Sequence, residues 1–216
     1  MIITIDGPAG SGKSTVADKL AECIGFIHFN SGALFRAITA HLYKNNFNFS
    51  LLKVDTKIPG FDLKVKMINE NQHVYINDID YTPILRDNVI STLVPIASQN
   101  AMVQQKVQAY LKEFCNTNNV VIEGRGIGSE VLPNAEFKFY LDCSIKERAK
   151  RRFLEEQAKN SIITLEEIEK QIAERDHLDK TREITPLVIP NGAIIIDSTN
   201  LTIPQVVETM RNYLVK

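Results

Sequence analysis

Ile2-Ile3-Thr4-Ile5-Asp6-Gly7-Pro8-Ala9-Gly10-Ser11-Gly12-Lys13-Ser14-Thr15-Val16 is the stretch on which the reading of this 216-residue chain turns. Ile2 to Ile5 is a short apolar, β-branched run, the mark of a strand buried in a parallel sheet. Gly7 to Ser14 then fits G-x-x-x-x-G-K-[ST] at every fixed position. From Ser14 onward Val16, Leu20 and Ile24 recur at a spacing of four, which predicts a helix, with Gly25 as its C-cap. Strand, glycine loop and helix thus follow in the order the motif requires.

That order has a physical use. A polyphosphate needs several donors converging on it, and glycines let a backbone curl so that successive N–H groups point inward. The helix that follows aims its unpaired amides and positive dipole end at the same anion. Lys13 is expected to reach the β- and γ-phosphates, and the Ser14 hydroxyl to ligate Mg²⁺. Gly7, Pro8, Ala9, Gly10, Ser11, Gly12, Lys13, Ser14 and Thr15 are therefore the candidate nucleoside triphosphate site. The competing reading, a glycine turn with a chance lysine, fits the flanking strand and helix poorly.

Bulk properties narrow the setting. A hydrophobic content of 44% suffices for a real core, and a net charge of −1 gives no basic field to attract nucleic acid or a membrane. Cys23, Cys115 and Cys143 are odd in number and far apart, as free thiols in a reducing compartment would be. No apolar stretch is long enough to span a bilayer, and the N-terminus lacks the charged start and apolar run of a signal peptide. A cytoplasmic, soluble protein is expected.

Outward from the first helix, Phe26 to Phe29 reads as a strand, and Ser31 as the cap of a helix that projects Arg36 one turn on. Phe61–Ile68 and His73–Ile76 alternate in the manner of a small antiparallel ribbon, with Asn69 to Gln72 between them. A helical region runs from about Asp87 to Phe114. Hairpins are foreign to a parallel α/β core, so residues 58–115 read as an inserted lobe and residues 1–57 with 116–216 as the core.

Val120-Val121-Ile122-Glu123 is a second buried strand ending in a carboxylate, and Glu123 is a candidate to hold a Mg²⁺-bound water. Phe137 to Asp142 is a third strand. Arg148, Arg151 and Arg152 share one face of a helix from Ile145 to Asn160, and Arg175, Asp179 and Arg182 form a second stripe. Such arginines usually mark a solvated face. Beside a phosphate loop, two Arg-rich helices joined by a polar turn, at roughly 148–182, read better as a lid supplying guanidinium groups to a transferring phosphoryl. Ala193–Asp197 and a helix over Ile203–Tyr213 close the chain. The expected fold is α/β: a parallel sheet of the P-loop NTPase type with helices on both faces, an inserted lobe and a short helical lid.

Taken in order, several segments together resemble bacterial cytidylate kinases. They are Ile5 to Thr15; Ser31-Gly32-Ala33 with Arg36; Gly124-Arg125 with Ile127-Gly128; Val131 to Ala135; Glu147-Arg148-Ala149 with Arg151-Arg152; and Glu174-Arg175-Asp176 with Asp179, Arg182 and Pro186-Leu187. The resemblance implies transfer of the ATP γ-phosphoryl to CMP or dCMP in pyrimidine nucleotide metabolism; a monomer is expected, with ATP and Mg²⁺ at the phosphate loop. It implies that the insertion binds the nucleoside monophosphate. It implies that Ser31, Arg36 and Arg125 hold the CMP phosphate or sugar, and that Arg175, Asp179 and Arg182 contact CMP. Arg148 and Arg152 would then be lid residues near the ATP phosphates, joining Lys13 and Arg182 in catalysis.

Three positions depart from the family pattern. Gly126 stands where a carboxylate that touches the nucleoside is expected. Gln104 follows Val103 in place of an arginine that meets the cytosine, and Pro95 aligns with a serine near the base. The phosphate side is intact while the base side is altered, which leaves two alternatives open. One is a kinase for UMP or another small acceptor; the other is a nucleotide-binding regulatory protein with decayed chemistry.

Overall fold

A computed structural model describes residues 1–158 and 162–214. The chain begins with β1 (Ile2–Asp6), α1 (Lys13–Ile24) and β2 (Ile27–Asn30). It continues through α2 (Ser31–Lys44), a ribbon of β3 (Leu63–Ile68), β4 (Asn71–Ile76) and β5 (Ile79–Asp80), and then α3 (Asn88–Ala97) and α4 (Ala101–Thr117). The last part holds β6 (Val120–Gly124), β7 (Phe137–Asp142), α5 (Ile145–Gln157), α6 (Leu165–Thr181), β8 (Ile194–Asp197) and α7 (Ile203–Leu214). Two compact units result: Met1–His28 with Val120–Lys216, and Phe29–Asn119. The segment expected as an insertion, 58–115, lies inside the second.

The main sheet has the order β2-β6-β1-β7-β8. β1 runs parallel to β6, from Ile2 opposite Val120 to Asp6 opposite Gly124, and parallel to β7 on its other side. β7 and β8 are also parallel. This is the parallel α/β sheet the sequence predicts. Ile3, Ile5, Val121, Phe139 and Leu141 pack with Val16, Ala17 and Leu20 of α1 and with Val206, Val207 and Met210 of α7. Burying each of the larger side chains stabilises the fold by about 1.5–3 kcal/mol. Parallel strands place all their carboxyl ends on one edge, so the loops after β1 and β6 leave the sheet side by side.

In the second unit the antiparallel sheet β3-β4-β5 replaces the simple two-stranded ribbon. Ile68 pairs with Asn71, so Asn69 and Glu70 alone form the turn, at φ 49° and 65°. A two-residue turn with both φ positive matches the twist of paired strands, which shortens the expected four-residue connection. α2 is capped by Asn30, not Ser31: the Asn30 side chain accepts from Ala33 N at 3.1 Å, and Ser31 is the first helical residue. The single helical region expected over 87–114 is two helices. Asn100 interrupts it, because its carbonyl oxygen caps the Met102 and Val103 amides while its amide donates to the Lys53 and Thr56 carbonyls.

α6 starts with a reciprocal capping box between Thr164 and Glu167. α5 and α6 share a small core of Ala149, Ile168 and Ile172, flanked by Phe153. Residues 159–161, inside the expected lid, lie outside the described residues. Among the described residues, no helix is long and apolar enough to cross a membrane.

Candidate active site

The loop between β1 and α1 is shaped by close approach. Gly7 sits at φ 151°, and a Cβ there would lie 2.2 Å from the Leu141 carbonyl oxygen of the neighbouring strand. Any larger residue would force the loop off the sheet. At the other end Gly12 occupies the N-cap of α1 in the left-handed region, at φ 91°. A glycine cap leaves the first helical amides to whatever anion the loop receives. Lys13 is buried, and its Nζ donates to the Pro8 carbonyl at 2.6 Å and to Ser11 Oγ at 3.4 Å. Burial lowers the Lys13 pKa to about 7, helped by the Arg125 charge, while Glu123, Asp6 and Asp179 act in the opposite direction.

Those opposing charges come from distant parts of the sequence. Asp6, fully buried at the end of β1, accepts from the Ile127 and Gly128 amides at 2.8 and 2.7 Å. Burial raises its pKa, against the pull of those two amides and of Lys13. Asp6 thereby fixes the loop after β6, which carries Arg125. Arg125 Nε lies 2.5 Å from Asp179 Oδ2, a close ion pair in which the N–H points off the line to the oxygen. Arg182 Nε donates to the Thr185 carbonyl at 2.6 Å and its Nη2 to the Arg125 carbonyl at 3.3 Å; its Nη1 is 3.9 Å from Asp179 Oδ1. Burial lowers the Arg182 pKa, with Asp179 opposing. Lys13, Arg125, Asp179 and Arg182, spread over 170 positions of sequence, therefore belong to one charged cluster with Asp6 and Glu123.

The arginines expected in the lid separate into different environments. Arg148 is buried and fully engaged: Nε donates to the Cys143 carbonyl, Nη1 to the Ala9 carbonyl at 3.0 Å, and both terminal nitrogens grip the Asp176 carboxylate. Arg151 binds Glu147 at 3.0 Å and the Ser198 carbonyl at 2.9 Å. Arg152 is exposed on α5, and Arg175 is half-buried on α6. Ser14 and Thr15 occupy the first turn of α1, and Glu123 is buried at the end of β6.

In the second unit Ser31 is buried at the start of α2. Arg36, one turn later, donates through Nη1 to the Leu85 carbonyl at 3.1 Å and to Ser91 Oγ at 2.9 Å. The altered positions have structural explanations. Gln104 is buried and donates to the Ser98 carbonyl at 2.6 Å, stitching α3 to α4. Pro95 lies within α3, and its carbonyl accepts from Ser98 Oγ and Gln99 Nε2. Gly126 has φ 73°, and a Cβ on it would fall 2.5 Å from Thr185 Cγ2 and 3.1 Å from the Pro186 carbonyl oxygen. An aspartate there would displace the segment that anchors Arg182.

Some contributors carry no sequence signal of their own. Asp176 stands in the Glu174-Arg175-Asp176 segment of the resemblance, but nothing in the sequence pairs it with Arg148. Ser198 follows the last strand, and its hydroxyl reaches the Ser11 carbonyl at 3.2 Å and the Asp142 carbonyl at 2.9 Å. Thr185 matters through its carbonyl and its fit against Gly126, which no periodicity reveals.

Among solved structures, shikimate kinase from Bacteroides thetaiotaomicron superposes with a TM-score of 0.51 at 12% identity, covering 100% of this chain and 99% of that one. An uncharacterized protein from Eubacterium ventriosum superposes at 0.55 with 14% identity, covering 100% and 99%. Identities this low speak for the fold alone. In sequence, the chain is 40% identical over 206 residues to the cytidylate kinase of Caldanaerobacter subterraneus subsp. tengcongensis, covering 95% of this chain and 91% of that protein. It is 38% identical over 209 residues to the cytidylate kinase of Shouchella clausii, covering 96% and 93%. With the family model for cytidylate kinase matching residues 3–216 as well, the chain belongs to the cytidylate kinase family.

Proposed function

We infer that this chain transfers the γ-phosphoryl of ATP to CMP or dCMP, releasing ADP and CDP or dCDP. The observation that carries the reading is the charged cluster itself. In a chain of this family, Arg182 bonds to the Arg125 carbonyl, and the Arg125 charge in turn acts on the lysine of the phosphate loop. An oxygen of the acceptor phosphate attacks the γ-phosphorus in line, and the bond from that phosphorus to the β–γ bridging oxygen breaks. No protein nucleophile is required. Loop amides and Lys13 orient the donor, and Arg125 and Arg182 neutralise charge that develops on the transferring group.

Mg²⁺ suits the oxygen donors present. Among the described residues no cluster of three His, Cys, Asp or Glu side chains exists, so the ion would rely on nucleotide oxygens together with the Ser14 hydroxyl and Glu123, directly or through water. When bound it would supply charge neutralisation for the donor phosphates. Ser31, Arg36, Arg125, Arg175, Asp179 and Arg182 are proposed as acceptor contacts, and Arg152, exposed on α5, as the lid arginine. Residues 58–115 are proposed as the acceptor lobe, the protein as a monomer, and the cytoplasm as its location.

A second point concerns the base. With Gln104 bonded to Ser98, a proline at 95 and no side chain at 126, base recognition in this chain rests on fewer charged contacts than its relatives' pattern provides. We propose a broader acceptor range with CMP and dCMP still preferred. ADP release measured across CMP, dCMP, UMP and AMP tests both statements. Turnover with none of the four would sink the kinase reading, and strict CMP selectivity would sink the broader range.

A further inference from the structure

A phosphate loop works by turning its amides toward an anion, which obliges its carbonyls to face the other way. Carbonyls turned away from the ligand into the protein, buried or half-buried, are held in place by donors of their own. Here the Pro8 carbonyl takes Lys13 Nζ, the Ser11 carbonyl takes Ser198 Oγ, and the Ala9 carbonyl takes Arg148 Nη1. Arg148 differs from the other two donors. Its side chain is 3% exposed, and its Cβ, Cγ and Cδ lie 3.5 to 3.9 Å from where a Gly10 side chain would begin. Its guanidinium also forms a two-point pair with Asp176, at 3.1 and 2.6 Å, while Nε holds the Cys143 carbonyl at the end of β7.

We propose that Arg148 is a positioning residue for the phosphate loop. It holds the Ala9 carbonyl back so that the neighbouring amides face the donor polyphosphate, and through Asp176 it ties that loop to α6. One turn further along α6, Asp179 pairs with Arg125. The same helix thus braces the donor loop at one point and the loop after β6 at the next. With every contact of its guanidinium made to protein groups, Arg148 acts through the loop rather than by touching phosphate. The inference rests on the reading of this loop as the ATP site, but part of its test does not.

The test uses Arg148→Met, Asp176→Leu and the double variant of the full chain. Each is followed by thermal unfolding, by hydrogen exchange at the amides from Ala9 to Lys13 without nucleotide, and by steady-state kinetics. Arg148→Met alone strands a buried carboxylate and loses stability. The double variant removes both charges, and apolar replacement of a buried pair is commonly tolerated, so its Tm returns toward that of the parent. Loop exchange in the double variant is expected to stay about tenfold faster than in the parent, since the local opening it reports is no longer opposed. The KM for ATP should stay raised about tenfold while the KM for CMP moves little, as expected when one charge-assisted bond that orients the donor is lost. Recovery of both Tm and ATP KM in the double variant would reduce Arg148 to a purely structural part and overturn the proposal. Unchanged loop exchange with a collapsed kcat would overturn it in favour of direct phosphate contact. Absence of ATP binding by the parent protein would instead overturn the reading of the site, while accelerated exchange would still support the brace.

Discussion

The two units handle their buried polar groups in opposite ways. In the first, charges meet charges: Arg148 grips Asp176, Arg125 pairs with Asp179, and Lys13 lies in the field of Asp6, Glu123 and Arg125. In the second, polar side chains mostly meet backbone: Arg36 binds the Leu85 carbonyl, Gln104 the Ser98 carbonyl, and Asn100 the carbonyls of Lys53 and Thr56. A network of opposed charges suits a polyanion, because an arriving phosphate can exchange one partner for another without stranding a cation. Side chains bonded to backbone instead hold a shape, and Arg36 would have to exchange such a bond to meet an acceptor phosphate. The contrast is what the proposed phosphoryl chemistry in the first unit would require.

Breaking the charged side should have the largest effect. Lys13→Ala is expected to lower kcat/KM by roughly 10³-fold, the scale of losing a pre-aimed electrostatic donor, with circular dichroism unchanged. Rates near wild type would detach the chemistry from this loop. Arg182→Ala should raise the KM for CMP by about 10–100-fold and the KM for ATP much less, the range for a charge-assisted hydrogen bond. Equal effects on both would argue against an acceptor-side role.

The pH profile sharpens the comparison on the same side. With the Lys13 pKa near 7 in the free protein, its charged form is depleted as pH rises through that value. A polyphosphate prefers the charged form, so kcat/KM for ATP should fall about tenfold per pH unit above the pKa, whereas kcat should be flatter because bound phosphate restores the charge. A flat kcat/KM from pH 6 to 9 would remove Lys13 from donor binding.

Smaller effects are expected where shape governs. Gly126→Asp should destabilise by about 1–3 kcal/mol through overlap with Thr185, and Thr185→Gly in the same chain should recover part of that loss. Full stability in the single variant would show that the 185–186 segment yields easily. Gln104→Leu should cost about 1 kcal/mol, the worth of its bond to Ser98, and leave the ratio of CMP to UMP turnover unchanged. A shift in that ratio would make Gln104 a reader of the base and dissolve the contrast between the units.

Ile2 to Val16 determined a parallel α/β fold and a phosphate site without further help, because strand period, glycine spacing and helix period are all local properties of the backbone. The strand ending in Glu123, the cap at Gly25 and the two arginine stripes were legible for the same reason, whereas the capping box at Thr164 emerged only in the structure. Which arginine does what was not legible. Arg148, Arg151 and Arg152 share a helical face by spacing, yet one is buried against Asp176, one bridges to Ser198 and one is exposed. The cap at Asn30 instead of Ser31, the break at Asn100, and the exclusion of a side chain at Gly126 by Thr185 were likewise settled only in three dimensions. Burial and partner choice depend on what distant segments bring alongside, and no period within a single segment encodes its neighbour.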